Sequence, residues 1–343
     1  MALSINNELI ERFTRQLDKA TKIVILSHMN PDGDAVGSSL AMYHWLRESF
    51  FAGREAPLIN ILLPHSCPHD MCYLPAADTI MDAERNKSLC IELIDNADLI
   101  VGVDFNNASR VLPLDNALVA SKAPKILIDH HHKPDEALFT TLFSLPDLSS
   151  TCELLYWLFS QTIGDNSITD NVARCLYHGI NTDTGGFSYS CDDPSLYEAT
   201  AALMHHPIDA AGVHNRIFNN YSVEKMRLLG FLLSNRMKII PQKKAAIIYV
   251  SADDLSSHNC TPYDLEGLVN YTLMMEEIEV GIMIKEAEGK VRLSFRSKYD
   301  FDVNAFAGNL FGGGGHLKAS GATSPYGMEK TMKIVEEALL TAD

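Results

Sequence analysis

The side chains of this chain that could do chemistry gather where short apolar runs end. His28, Asp32 and Asp34 follow the run at 22–26 in "SHMNPDGDAVGSS", and Asp104 closes "DLIVGVD". Asp129, His130, His131 and His132 close "PKILIDHHH", and Asp183 lies in "GINTDTGGFSYS" behind a helical pattern starting near Ile168. Imidazole nitrogens and carboxylate oxygens in such groups can ligate divalent cations, and paired cations serve phosphoryl displacement. Each segment alone has a plainer reading. Asn30-Pro31 and Asp32-Gly33 punctuate turns, a histidine cluster can be solvated, and Gly185-Gly186 can stop a helix. A calcium loop beginning at Asp32 is excluded, because its twelfth position is Tyr43 and not glutamate.

The elements around these residues alternate. "KIVIL" at 22–26, "LINILL" at 58–63, "DLIVGVD" at 98–104 and "PKILIDH" at 124–130 are nearly continuous apolar runs, the mark of strands buried on both faces. Residues 34–50 and 86–97 have helical spacing between them. The expected fold is α/β, a parallel sheet with helices on both faces, and ligand sites in such sheets form outside the carboxyl ends of the strands. From about 150 the pattern turns helical, opening where Ser150 and Glu153 have capping-box spacing. Strands return at 244–251, 279–286 and 290–297, the last two joined by a short "AEG" turn. A smaller α+β domain is expected to follow, with boundaries at 1–225, a helical linker at 226–241, and 242–343.

Taken together and in this order, "HMNPDGDAVGS", "VDFNNASR", Asp129-His130-His131 and "TDTGGF" resemble the motifs of the DHH phosphoesterases. "FRS" at 295–297 and "GGGGHLKASG" at 312–321 resemble the family's DHH-associated substrate-binding domain, so the likeness covers nearly the whole chain. It is greatest to stand-alone members that degrade very short RNA and dephosphorylate 3′-phosphoadenosine 5′-phosphate (pAp). The resemblance implies that His28 and Asp32 hold one metal, that Asp34, His130 and Asp183 hold a second, and that Asp104 bridges them. This nitrogen and oxygen set suits two Mn²⁺ ions, which the family also implies, with Mg²⁺ or Co²⁺ as alternatives. Without cations the clustered carboxylates repel one another, so the metal-free site should be looser. The implied nucleophile is a metal-bound hydroxide attacking in line, with no covalent intermediate. His131 is expected to face the substrate and Asp129 to orient a histidine; His132 has no assigned role.

For substrate binding the resemblance points to Arg296, Ser297, Gly313, Gly314, Gly315 and His316, with Arg110 a further candidate. Residues 302–311 read as a helix stopping at Gly312, and the glycines behind it read as a linker or as a backbone cradle for phosphate; the resemblance favours the cradle. Arginine supplies the forked donor set that phosphate accepts. His65, Cys67, His69 and Cys72 in "LPHSCPHDMC" are all zinc-ligand types but lack the separated pairs of structural zinc sites, and are expected to pack along a rim.

With 343 residues, 46% of them apolar, the chain can bury two cores. A formal charge of −16 disfavours long duplex nucleic acid, whose binding needs many phosphate contacts, whereas residues 281–320 carry six Lys/Arg against four acids. Seven scattered cysteines, no Cys-x-x-Cys and no apolar leader or membrane-length run lead us to expect a cytoplasmic protein with reduced thiols, acting away from membranes. Short oligoribonucleotides or pAp are the expected substrates, and a homodimer is compatible with the sequence. The rivals are a hydrolase of linear or cyclic dinucleotides, an exopolyphosphatase- or pyrophosphatase-like enzyme, and a silent nucleotide-binding protein. The last is disfavoured because no ligand position is lost.

Overall fold

A computed structural model describes residues 3–287 and 289–342, with the backbone alone for His316. The chain divides into two units, Met1–Asn219 and Asn220–Asp343. In the first, α1 (Asn7–Lys19), β1 (Lys22–Leu26) and α2 (Gly33–Trp45) are followed by β2 (Leu58–Leu63), β3 (Ile80–Asp82) and α3 (Ala83–Asp95). Next come β4 (Leu99–Val103), α4 (Asp115–Ala120), β5 (Lys125–Asp129) and β6 (Thr141–Ser144). Four helices complete the unit: α5 (Thr151–Ile163), α6 (Asp170–Asp183), α7 (Pro194–Leu203) and α8 (Ala210–Phe218).

All six strands run parallel in the order β3-β2-β1-β4-β5-β6. Successive side chains of a strand point to opposite faces, so Ile23 and Ile25 join one core with Leu40 and Trp45, while Val24 and Leu26 join another with Ile100 and Leu127. Burial on both faces is why these strands are apolar throughout. Strand order reverses between β1 and β4, which opens a crevice at the carboxyl edge of the sheet. Helix α2 is buried along its whole length and packs against α5 and α6. Gly179 permits this approach, since a Cβ there would lie 2.3 Å from Cys152 Sγ and 2.8 Å from Asp34 Oδ1. The helical spacing of 34–50 is realised as α-helix to Trp45 and then one wider turn over 46–50, closed by Phe51 N donating to Leu46 O at 2.9 Å.

The second unit opens with α9 (Val223–Asn235), β7 (Met237–Ile240), β8 (Ala245–Val250) and α10 (Ala252–Ser257). β9 (Val280–Ala287) and β10 (Lys290–Ser297) form a hairpin with Lys290 opposite Ala287; Glu288, inside the expected turn, lies outside the described residues. α11 (Val303–Phe311), β11 (Gly314–His316), β12 (Ala319–Ser324) and α12 (Met328–Thr341) end the chain. The sheet is mixed, ordered β11-β12-β10-β9-β8-β7, with β8 and β9 parallel. Ile282, Leu293 and Phe295 pack with Val303 of α11 and Val335 of α12; Ile248 and Met283, facing the other way, pack with Leu228 of α9. Among the described residues no helix is long and apolar enough to cross a membrane.

Candidate metal and substrate site

Each ligand-type side chain is placed by the end of a strand or helix in the first unit. His28 lies two residues past β1, buried, with Nδ1 donating to Met29 O at 2.9 Å. That bond leaves the Nε2 lone pair facing carboxylates, 3.2 Å from Asp104 Oδ2 and 3.8 Å from Asp32 Oδ2. Asp32 caps α2, its Oδ1 accepting from Asp34 N at 3.1 Å and Ala35 N at 3.0 Å. Asp34 meets the start of α5, where Thr151 N and Cys152 N donate to its two oxygens at 2.7 and 2.9 Å. Two helix N-termini therefore favour its negative charge.

Asp104 follows β4 in the left-handed region, at φ 61°, and is 1% exposed. A non-glycine residue there is strained, and such strain gathers at functional sites. Its Oδ1 accepts from Thr151 Oγ1 at 3.1 Å. Beyond β5, His130 Nε2 lies 3.3 Å from Asp183 Oδ2 and 3.7 Å from Asp104 Oδ1. His131 Nδ1 lies 2.7 Å from Asp129 Oδ1. Asp183 is the last residue of α6, after which Gly185 and Gly186 take positive φ and turn the chain away.

Three overlapping groups result: His28 with Asp32 and Asp104, Asp34 with His130 and Asp183, and Asp104 with His130 and His131; within each, ligand atoms lie within 4.8 Å of one another. Burial, and then the charges of Asp34, Asp32, Asp183 and Asp129, pushes Asp104 well above the usual carboxylate range. Burial, Asp34 and Asp32 do the same to Asp183, and burial lowers His28, which leaves its imidazole neutral. Crowded carboxyls that resist ionisation beside the neutral His28 imidazole fit divalent cations, whose charge reverses the repulsion.

The sequence places the start of α5 at Ser150, as the structure does, but gives it no part in the site. Ser150 Oγ does accept from Glu153 N at 3.0 Å, but the reciprocal half of the expected capping box does not form. The buried Glu153 carboxylate instead accepts from Ser149 N and Oγ at 2.9 and 2.7 Å and from Ser195 Oγ at 2.7 Å. Arg110 is brought beside His28: its carbonyl accepts from Met29 N at 2.7 Å, and its Nε is buried without a hydrogen-bond partner among the described residues. His132 is exposed and takes part through its carbonyl, which accepts from Asn106 Nδ2 at 2.8 Å. His65 Nδ1 accepts from Asn30 N at 3.1 Å, and Cys67 and Cys72 both turn toward Pro68 O. Among the described residues, these and His69 form no group able to hold a metal.

In the second unit Arg296 is half-buried on β10, with Nη1 donating to Phe295 O at 2.9 Å. Ser297 is buried and its hydroxyl donates to Phe301 O at 2.8 Å. The glycine run expected at the substrate phosphates takes a regular form. Gly312 ends α11 as a left-handed cap, but Gly314–His316 form an edge strand paired with β12. Glycine is needed there for close packing: a Cβ on Gly313 would lie 2.3 Å from Gly321 O, and one on Gly315 2.5 Å from Ala319 O. Gly315 N donates to Asn304 Oδ1 at 2.8 Å and is not open to an anion. The side chain of His316 lies outside the described atoms.

Comparison with known proteins places these motifs. Residues 22–180 match the DHH family N-terminal domain, and residues 242–341 match the DHHA1 domain. The chain belongs to the DHH family. The DHH match contains every ligand-type residue named above except Asp183, three residues beyond its end, and the DHHA1 match contains Arg296 and the glycine strand. An exopolyphosphatase-related protein from Bacteroides fragilis is 33% identical and superposes with a TM-score of 0.93 over 99% of this chain and 98% of that one. The bifunctional oligoribonuclease and PAP phosphatase NrnA of Bacillus subtilis is 25% identical over 317 residues, 92% of this DHH chain and 93% of its own. RecJ of Thermus thermophilus in complex with Mn²⁺ shares the fold at a TM-score of 0.57 and 14% identity, over all of this chain and 56% of that one.

Proposed function

We propose that this DHH protein is a metal-dependent phosphoesterase that hydrolyses very short oligoribonucleotides and pAp. The observation that carries the reading is the position of Asp104 at the strand-order reversal, within reach of His28 with Asp32 and of His130, which in turn groups with Asp34 and Asp183. His28, Asp32 and Asp104 would hold one cation, and Asp34, His130 and Asp183, sharing Asp104, a second; Mn²⁺ is the favoured ion. When bound, such cations supply a water nucleophile at neutral pH and neutralise charge on the phosphoryl group. The substrate class is supported by the B. subtilis relative, whose alignment spans both domains.

The chain's own residues then have distinct tasks. Thr151 N, Cys152 N and the Thr151 hydroxyl hold Asp34 and Asp104 in place before any ligand arrives. Asp129 accepts a hydrogen bond from Nδ1–H of His131 and orients the ring, and in the doubly protonated ring the Nε2 proton can pass to the leaving oxygen or bind a phosphate oxygen. Arg110 and Arg296 pair with substrate phosphates, His316 adds a donor, and the glycine strand lets the substrate approach backbone. Seven free cysteines accord with action in the cytoplasm.

A Mn²⁺-supplemented panel of pAp, RNAs of two to five residues, RNA of about 25 residues, cyclic di-AMP, pyrophosphate and polyphosphate tests this. The acidic chain offers few further contacts to a long strand, so kcat/KM should be higher for the short RNAs than for the long one. Turnover of pyrophosphate alone, or of polyphosphate alone as the name of the B. fragilis relative suggests, would overturn the substrate assignment.

A further inference from the structure

Tyr73 and His178 make a contact that the metal-binding groups do not use. His178 lies on α6 five residues before Asp183 and is 1% exposed. Its Nδ1 is 2.9 Å from Tyr73 Oη, and the two rings meet edge to face at 5.7 Å. The Arg216 guanidinium covers the other ring at 4.6 Å from the Tyr73 centroid. His178 Nε2 is buried and makes no hydrogen bond to the described residues.

The helix turn that follows this ring packs at the start of α2, beside Asp32. Thr182 Oγ1 donates to His178 O at 2.8 Å, and a Cβ on Gly33 would lie 2.2 Å from that same hydroxyl oxygen. The last turn of α6 is therefore pressed against the start of α2, which Asp32 caps, and the Asp32 charge acts on the His178 ring. Burial outweighs that charge and lowers His178 to about 4, so the imidazole carries one proton at neutral pH. Burial holds the Tyr73 phenol up at about 12, which keeps it a donor. With the Tyr73 hydroxyl donating to Nδ1, the ring proton resides on Nε2, and a buried N–H without an acceptor calls for a partner.

We propose that His178 is a positioning residue for the metal site: Tyr73 fixes its tautomer, and its Nε2–H serves the Asp32 carboxylate when a divalent cation is held there. Carboxylates that bind metals are themselves hydrogen-bonded, and loss of such a partner costs about 10- to 100-fold in metal affinity. The inference rests on the reading of Asp32 as a metal ligand.

The test is calorimetric Mn²⁺ binding to the full chain, with metal-free melting temperature and kcat at saturating Mn²⁺ measured alongside. Glutamine places its amide nitrogen near the position of the imidazole Nε2, whereas asparagine places its own near Nδ1. His178→Phe and His178→Asn should weaken Mn²⁺ binding by about 10-fold or more, His178→Gln should recover most of the loss, and Tyr73→Phe should weaken binding less. Saturating Mn²⁺ should restore kcat in all of them. If Asp32→Asn loses a cation but the Phe and Asn variants bind within about twofold of wild type, or if affinity follows metal-free melting temperature across the set, His178 only fills space and the proposal falls. If Asp32→Asn binds Mn²⁺ as wild type does, the assignment of Asp32 fails first and takes the proposal with it.

Discussion

The Oδ1 of Asp129 lies 2.7 Å from Nδ1 of His131, and the aspartate is buried at the end of β5 while the histidine reaches partly into the open. A fixed carboxylate behind a ring decides which nitrogen carries the proton. Asp129→Asn keeps the shape but removes the charge and can present an N–H to Nδ1. We expect kcat to fall by about 100-fold, with Mn²⁺ affinity changed little, because loss of a positioned proton donor has that scale. Steady-state kinetics beside metal titration checks this, and a kcat near wild type would take His131 out of the reaction.

Asp104→Asn should abolish Mn²⁺-dependent turnover and remove the stabilisation that Mn²⁺ confers by mass action. In a chelator the effect should reverse. The raised carboxyl of Asp104 contributes stability that is present below the unfolded value near 4 and lost as pH rises through its higher folded value. At pH 8 the variant should therefore melt above wild type without metal, and the difference should shrink as pH approaches 5. Thermal denaturation across that range decides it; a variant less stable than wild type at pH 8 would refute the repulsion argument.

Arg296→Ala lies outside the metal-binding unit and should act on substrate affinity. Loss of one charge-assisted contact to phosphate should raise KM about tenfold or more while leaving bound Mn²⁺ at the wild-type level. Metal analysis of the purified variant separates the two effects, and a loss confined to metal content would contradict the assignment.

Gly179→Ala would place a methyl group against Cys152 Sγ and Asp34 Oδ1. Overpacking of this kind costs about 1–3 kcal/mol, and here it should also weaken Mn²⁺ binding by displacing Asp34. Urea denaturation and metal titration measure both; wild-type values for each would show that α5 and α6 can part without consequence.

Local signals told the truth about local matters. Apolar runs named β1, β4 and β5, the turn residues behind them located His28, Asp32, Asp104, Asp129 and His130, and Gly185-Gly186 marked where α6 ends at Asp183, because strand burial and chain reversal are properties of neighbouring residues. The short strands β3, β6 and β7 escaped, being three or four residues long and held by their neighbours in the sheets. Only the folded chain decided that Asp34 would be fastened by N–H groups more than a hundred residues away, that Glu153 would turn to Ser149 and Ser195, and that Tyr73 would reach His178. The glycines at 313–315 show the difference most plainly. Their composition permits a mobile loop or a close-packed strand, and the choice falls to the strand because Gly321 O and Ala319 O lie where a side chain would have to be.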